Sequence, residues 1–431
     1  MSAELIGILG IVVLLVLLFM RVWIGFGMAA VGLVGYYILE GWNKAAVMVG
    51  TEPYSQISDL TLATIPLFVL MGAVISNTNL GKDLFETASK WIGAVKGGLA
   101  SATVLACAAF AAVCGHTSAT SITMGKIAMP QMKRYNYDEK LAAGVCTAGG
   151  TIGIMIPPSI AFILYGLITQ VSIGKLFLAG FIPGLLQAIF YILTITIVTR
   201  IKPDWGPATT QKYTMREKVS SLKLSGPVLL IFIIAIGGIY LGVFTPTEAG
   251  AGGAFAAIVI ALVARRLKWP QFKSTMLETT MTTAMMIALM AGAYIFQRFI
   301  TVSNVPFLIS DTIAALGLGK TQFMIVIVLF YLFLGCFMDI FGAIILTIPI
   351  IMPTVTALGI NPVWFGVIVV RLMEIGLITP PLGMDVFTFS GAMDIPTSTV
   401  FKGIAPFVLT DFLHLALLIF IPQLSLLLIG G

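Results

Sequence analysis

The chain has 431 residues, 59% of them hydrophobic and only 10% charged, with a formal net charge of +6 and a mean hydropathy of +1.06. A soluble globular domain does not carry so few charges, and several stretches exceed the ~18 apolar residues that cross a bilayer as a helix. What remains is an all-α polytopic protein whose main partner is the lipid bilayer.

The opening MSAELIG carries Glu4 and no basic residue, so the first apolar segment is expected to stay as a helix and not to be cleaved as a signal peptide. Full crossings are expected near 4–20, 22–39, 59–78, 141–168, 176–199, 226–243, 246–264, 276–298, 363–389 and 404–429. Two more apolar stretches, about 98–130 and 322–353, have small and polar residues at their middles. Each reads as a helix pair or as a re-entrant hairpin, and the mid-segment glycines and polar groups favour hairpins.

The basic residues orient this arrangement. With both termini outside, Lys44, Lys175, Arg298 and Lys320 lie outside and Arg371 lies within a crossing. The remaining 19 of the 24 lysines and arginines fall on inner loops, Lys82, Lys126, Arg134, Lys212 and Lys402 among them. Cytoplasmic loops carry such an excess. The positive charge is therefore a topology signal, and no nucleic-acid partner is expected. The basic run 200–223 reads as a linker between two halves.

The halves repeat. "MPQMKRYNYDEKLAAGVCTAGGTIGIMIPPS" starts at Met129 and "MPTVTALGINPVWFGVIVVRLMEIGLITPPL" at Met352. At this constant offset of 223, Pro130 meets Pro353, Gly153 meets Gly376, Pro157-Pro158 meets Pro380-Pro381, and Pro183 meets Pro406. With the orientation above, one copy enters from inside and the other from outside. The expected organisation is scaffold helices over 1–58, a first inverted repeat over 59–199, a linker with scaffold helices over 200–275, and a second repeat over 276–431. Each repeat has one hairpin and one helix broken at its proline pair (141–168 and 363–389). Inverted repeats with broken helices mark secondary transporters, with a site near the midplane. Unwound backbone is costly in hydrocarbon and survives where it lines a cavity or binds something.

The hairpin tips are polar. The first, "AAVCGHTSATS" at 111–121, gathers Gly115, His116, Thr117, Ser118, Thr120 and Ser121. Hydroxyl and carbonyl oxygens suit a small hard cation. His116 is an ionisable group at membrane depth; it could donate to an anionic substrate, carry a proton, or simply pack. The second tip, "LGCFMDIFGA" at 334–343, holds Asp339 and Gly342. Asp339 could meet a cation or cap backbone amides. The second break adds Arg371, Glu374, Thr379 and Asp385. Arg371 and Glu374, three apart, can pair on one helix face; contact between Arg371 and a substrate anion is the alternative. Ser118, Thr151 and Gly342 join His116 and Arg371 as substrate-binding candidates.

Other features carry no chemistry. "GLGKT" at 317–321 lacks the preceding strand and the first glycine of a phosphate loop, so ATP is not expected to drive the protein. No cofactor is expected, and the four cysteines lack metal-ligand spacing. "FTPTEAG" at 244–250 reads as a capping box with Thr245 and Glu248, and His414 as structural. No arrangement suggests catalysis.

"AAGVCTAGGTIGIMIPPSIAFILYG", "FLAGFIPG", "GVFTPTEAG" and "EIGLITPPLGMDVF" together resemble the large membrane subunit of tripartite ATP-independent periplasmic (TRAP) transporters, over roughly 60 to 429. The resemblance implies a bacterial inner-membrane importer of small organic acids, driven by a sodium gradient and working as an elevator. It also implies two partners: a soluble periplasmic substrate-binding protein and a small four-helix membrane subunit. Carried over, sodium sites fall around Cys114, Gly115, Thr120 and Gly153, and around Asp339, Gly376 and Thr379. Sialic-acid members show Ser-Gly-Ser and then an Asp at the first tip. Here Cys114-Gly115-His116 and Thr120 stand there, which argues against a sialic-acid specialist. Two other readings compete: a self-sufficient sodium/dicarboxylate symporter, and a channel or structural membrane protein.

Overall fold

A computed structural model describes residues 1–209 and 213–430; Lys212, one of the inner basic residues, lies outside them. Among the described residues all regular structure is helical. In chain order the helices are α1 (Ala3–Phe19), α2 (Ile24–Glu40), α3 (Trp42–Ile57), α4 (Thr64–Asn77), α5 (Leu80–Ile92), α6 (Gly98–Cys114), α7 (Thr117–Arg134), α8 (Glu139–Met155), α9 (Ile160–Thr169), α10 (Ile173–Ile201), α11 (Met215–Phe232), α12 (Gly238–Tyr240), α13 (Pro246–Val263), α14 (Trp269–Val302), α15 (Val305–Ala315), α16 (Lys320–Phe337), α17 (Ile340–Ala357), α18 (Pro362–Ile378), α19 (Met384–Met393), α20 (Thr397–Phe420) and α21 (Gln423–Leu426). Nine candidate spans among the described residues are long and apolar enough to cross a membrane.

The 223-residue repeat is visible in the helix boundaries. Adding 223 to α7 and α8 gives 340–357 and 362–378, the bounds of α17 and α18, while α6 and α9 reach those of α16 and α19 to within one residue. The register runs further out than the sequence motifs indicate: α2 shifted by 223 spans 247–263, against Pro246–Val263 for α13. The halves differ after α2. Residues 42–77 of the first half are split into α3 and α4 around Asp59, whose carboxylate accepts from the Thr61 amide at 2.8 Å and starts a new turn. The matching stretch of the second half has no such cap and runs on as the 34-residue α14.

Both proline pairs end a helix because proline offers no N–H and crowds the preceding turn. α8 stops at Ile156, and Ser159 starts α9 by accepting from the Phe162 amide at 3.4 Å. α18 stops at Thr379, and Gly383, at φ +58°, turns the chain into α19. The first broken element lies at the heart of the molecule. Of its most apolar stretch 94% is buried, against 28% for Met215–Tyr240 at the periphery. Around it pack α6, α7 and α20. On the other side α2 runs along α14. A β-carbon on Gly292 would fall 2.0 Å from the Gly25 carbonyl oxygen, so these two helices touch backbone to backbone and form one rigid wall. The Thr245–Glu248 capping box is present, with the Thr245 amide 2.8 Å from the Glu248 carboxylate.

Candidate functional site

Each hairpin tip lies against the break of its own repeat. At the first tip, Gly115 takes φ +65°, and a β-carbon there would come 2.6 Å from the Pro158 carbonyl oxygen. The Thr120 hydroxyl donates to the His116 carbonyl at 2.8 Å. That hydroxyl and that carbonyl lie 3.5 and 3.7 Å from where a β-carbon on Gly153 would sit. Gly115, Thr120 and Gly153 therefore converge. Cys114 closes α6 with its backbone against Gly72 of α4.

The second tip is built differently. A β-carbon on Gly376 would fall 2.5 Å from the Gly335 Cα, so α16 and α18 cross at their glycines. The Cys336 thiol donates to the Pro380 carbonyl at 3.7 Å. Asp339 caps α17, accepting from the Phe341 and Gly342 amides at 3.0 Å each. Thr379 donates to the Ile375 carbonyl at 2.7 Å. In this arrangement Asp339 serves as a helix cap; its carboxylate also borders the cavity described next.

Between the two tips and the α2–α14 wall is a cavity of about 240 Å³. Trp23, Ile24, Met285 and Leu289 line it from the wall. His116, Thr117 and Ser118 come from the first tip, and Asp339, Ile340 and Phe341 from the second. Ile154, Leu377, Met384, Asp385 and Thr388 come from the breaks. Ser118 donates to Asp385 at 2.6 Å. The other Asp385 oxygen and His116 Nδ1 are buried with no hydrogen-bond partner among the described residues. A buried polar atom without a partner is uncommon and costly, and both of these residues line the cavity.

Of the candidate substrate contacts, His116 and Ser118 line this cavity. Thr151 does not: it is fully buried, and its hydroxyl donates to the Ala148 carbonyl at 2.8 Å within α8. Gly342 spends its amide on Asp339, and a β-carbon there would meet Ile24 at 2.8 Å. Arg371 does not line the cavity either. It is fully buried, 2.7 Å from Glu374 and bonded as well to Asp411 of α20. Gln187 of α10 joins through Glu374, and Tyr191 donates to Asp411 at 3.0 Å. Sequence spacing found the Arg371–Glu374 pair; Asp411, 40 residues away, had no local signal. The wall residues Trp23 and Met285 were missed for the same reason, and Asp385 was noticed without a role.

A family model described as "Tripartite ATP-independent periplasmic transporter, DctM component" matches residues 11–424. The chain belongs to this family. It is accordingly a multi-pass membrane transport protein and not an enzyme. The C4-dicarboxylate TRAP transporter large permease DctM of Pseudomonas aeruginosa is 37% identical over 85% of each chain. The sialic acid TRAP transporter large permease SiaM of Vibrio cholerae is 32% identical over 96% of each. The isethionate TRAP transporter permease DctMQ of Oleidesulfovibrio alaskensis is 31% identical over 94% of this chain and 63% of its own length. Among solved structures, the YdaH transporter of Alcanivorax borkumensis has a similar fold, with a TM-score of 0.63 at 14% identity over 90% of this chain and 89% of that one. The DctM match thus spans both repeats, the cavity and the wall.

Proposed function

We propose that this DctM-family permease imports a small organic anion, a carboxylate or sulfonate, across the bacterial inner membrane. It is driven by sodium, fed by a periplasmic binding protein and completed by a small four-helix membrane subunit. Relatives named for a C4-dicarboxylate and for isethionate support this substrate class. Both termini face the periplasm, and the two hairpins are re-entrant. In the first pair α7 is too polar to count among the candidate spans, which supports re-entrance there, while α16 and α17 are each apolar enough to cross and join the reading through the repeat.

One observation carries the reading: both tips, both breaks and the α2–α14 wall meet at one cavity. The cavity holds two carboxylates, Asp339 and Asp385, and one imidazole. An anionic substrate entering it alone would face like charges at close range. Sodium ions bound first, at Gly115–Thr120–Gly153 and beside Asp339, Gly376 and Thr379, remove that repulsion. His116 then donates to the anion, beside the Ser118–Asp385 pair. At about 240 Å³, the cavity falls below the ~300–1,000 Å³ of pockets for larger ligands, which suits a small acid. The loaded hairpin domain slides along the static wall as an elevator, and the cavity's position at that boundary supports this motion.

The test is uptake into proteoliposomes with the small subunit co-reconstituted, comparing inward sodium with potassium, with and without loaded binding protein. Uptake that requires both is the expected result. Uptake with sodium alone would replace this reading with a self-sufficient symporter. Ion flux without substrate would replace it with a channel.

A further inference from the structure

A second cavity, of about 520 Å³, opens between α5, the last turns of α7, Thr209 and Tyr213. Lys82 and Lys90 reach it from α5, and Lys126 and Arg134 from α7, with Glu86 the one carboxylate among its lining residues. Glu86 lies 3.7 Å from Lys82. Lys90 stands 6.0 Å over the Tyr213 ring. Neither Lys126 nor Arg134 has a carboxylate within ion-pair distance among the described residues. The positive-inside rule accounts for basic residues on this side. It does not require four of them, from two separate helices, to converge on one concavity where Glu86 is the one carboxylate among the lining residues and Glu217 stands near Lys90.

The cleft's position adds to this. α5 is not among the apolar helices able to cross a membrane, and α7 ends in Lys133 and Arg134. α5 is tied to α11 by Thr87, which donates to the Ser221 carbonyl at 2.9 Å, and by Trp91, whose indole donates to the Lys218 carbonyl at 3.1 Å. Tryptophan at such a place sits at headgroup depth. Basic pockets beside spanning helices on the inner side bind phosphate headgroups.

We propose that this cleft binds a phosphate-bearing anion, either the headgroup of an anionic phospholipid or free phosphate from solution. Bound there, the anion bridges α5 and α7, and so joins the hairpin whose tip lines the transport cavity to the element anchored on α11. The proposal needs only that the chain sits in a bilayer. It stands or falls apart from the substrate and sodium assignments.

The test is lysine acetylation of the full chain in nanodiscs, read by peptide mass spectrometry. Phosphatidylcholine discs are compared with discs containing phosphatidylglycerol, and with phosphatidylcholine discs titrated with inorganic phosphate. Lys402, on the same side, and Lys175 and Lys320 are internal controls. Phosphatidylglycerol is expected to slow labelling of Lys90 and Lys126 while leaving the controls unchanged. Arg134→Gln should weaken that protection about fivefold, the effect of one cation near a charged surface. Protection by inorganic phosphate in phosphatidylcholine would assign the site to a soluble anion. Protection that extends equally to Lys402, or no protection by either anion, overturns the proposal. The unmodified chain decides this even where Arg134→Gln fails to fold.

Discussion

The Ser118 hydroxyl donates to Asp385 at 2.6 Å across 267 residues of chain, joining the first hairpin tip to the second break. The repeat explains the pairing. At the 223-residue offset, the cap position held by Asp339 in the second tip is His116 in the first. His116 makes no capping bond to α7. Asp385, from the other half, brings the missing carboxylate to that helix start, where the helix dipole favours it.

Asp385→Asn should therefore keep the contact with Ser118 while removing the charge. Asp385 lines the cavity, and losing its negative charge there weakens the attraction for a cation, so half-saturating sodium should rise about tenfold. Ser118→Ala should shift it less. Sodium titrations of uptake check both; an unshifted Asp385→Asn titration would leave Asp385 a helix cap only.

Asp339 combines a cap with a charge, and two substitutions separate them. Asp339→Ser keeps a capping oxygen and should preserve thermal stability while weakening sodium activation. Asp339→Ala should lose about 1 kcal/mol of stability as well. Thr379→Ala should also weaken sodium dependence. Unchanged sodium activation in Asp339→Ser and Thr379→Ala would exclude a cation from the second tip.

The α16–α18 crossing depends on glycine. Gly376→Ala would drive a methyl into the Gly335 backbone at 2.5 Å, and both elements are helical backbone with little room to yield. Overpacking of this kind costs about 1–3 kcal/mol, read as a lower melting temperature. A Gly376→Ala protein that melts like the parent would show that the crossing can open.

Arg371 is a test of structure against transport. Removing one partner from a buried ion cluster leaves an uncompensated charge and costs about 3–5 kcal/mol. Arg371→Met alone should be strongly destabilised. The combined Arg371→Met, Glu374→Gln, Asp411→Asn protein should recover much of that loss in a thermal melt. A stable Arg371→Met protein that has lost only transport would return Arg371 to the substrate.

The family and the repeat were legible because glycine and proline act locally. Pro157-Pro158 and Pro380-Pro381 break their helices whatever surrounds them, so both breaks and both hairpins are readable at one offset. α3 and α5 were not read as helices, since polar residues interrupt both and their packing comes from neighbours. The cavity between the tips was half legible: the polar tips announced themselves, but nothing near Trp23 or Met285 marks them as its wall.

Sequence alone thus determined the membrane class, the two-fold repeat, the broken helices and the polar tips, all consequences of backbone chemistry and of period along the chain. Tertiary structure alone decided which charges meet. It brought Asp385 to Ser118, added Asp411 to the Arg371–Glu374 pair that the spacing already indicates, and placed Thr151 inside α8 away from the cavity. Those outcomes depend on how helices far apart in the chain pack together, and a charge buried in hydrocarbon takes its partner from whichever helix lies beside it.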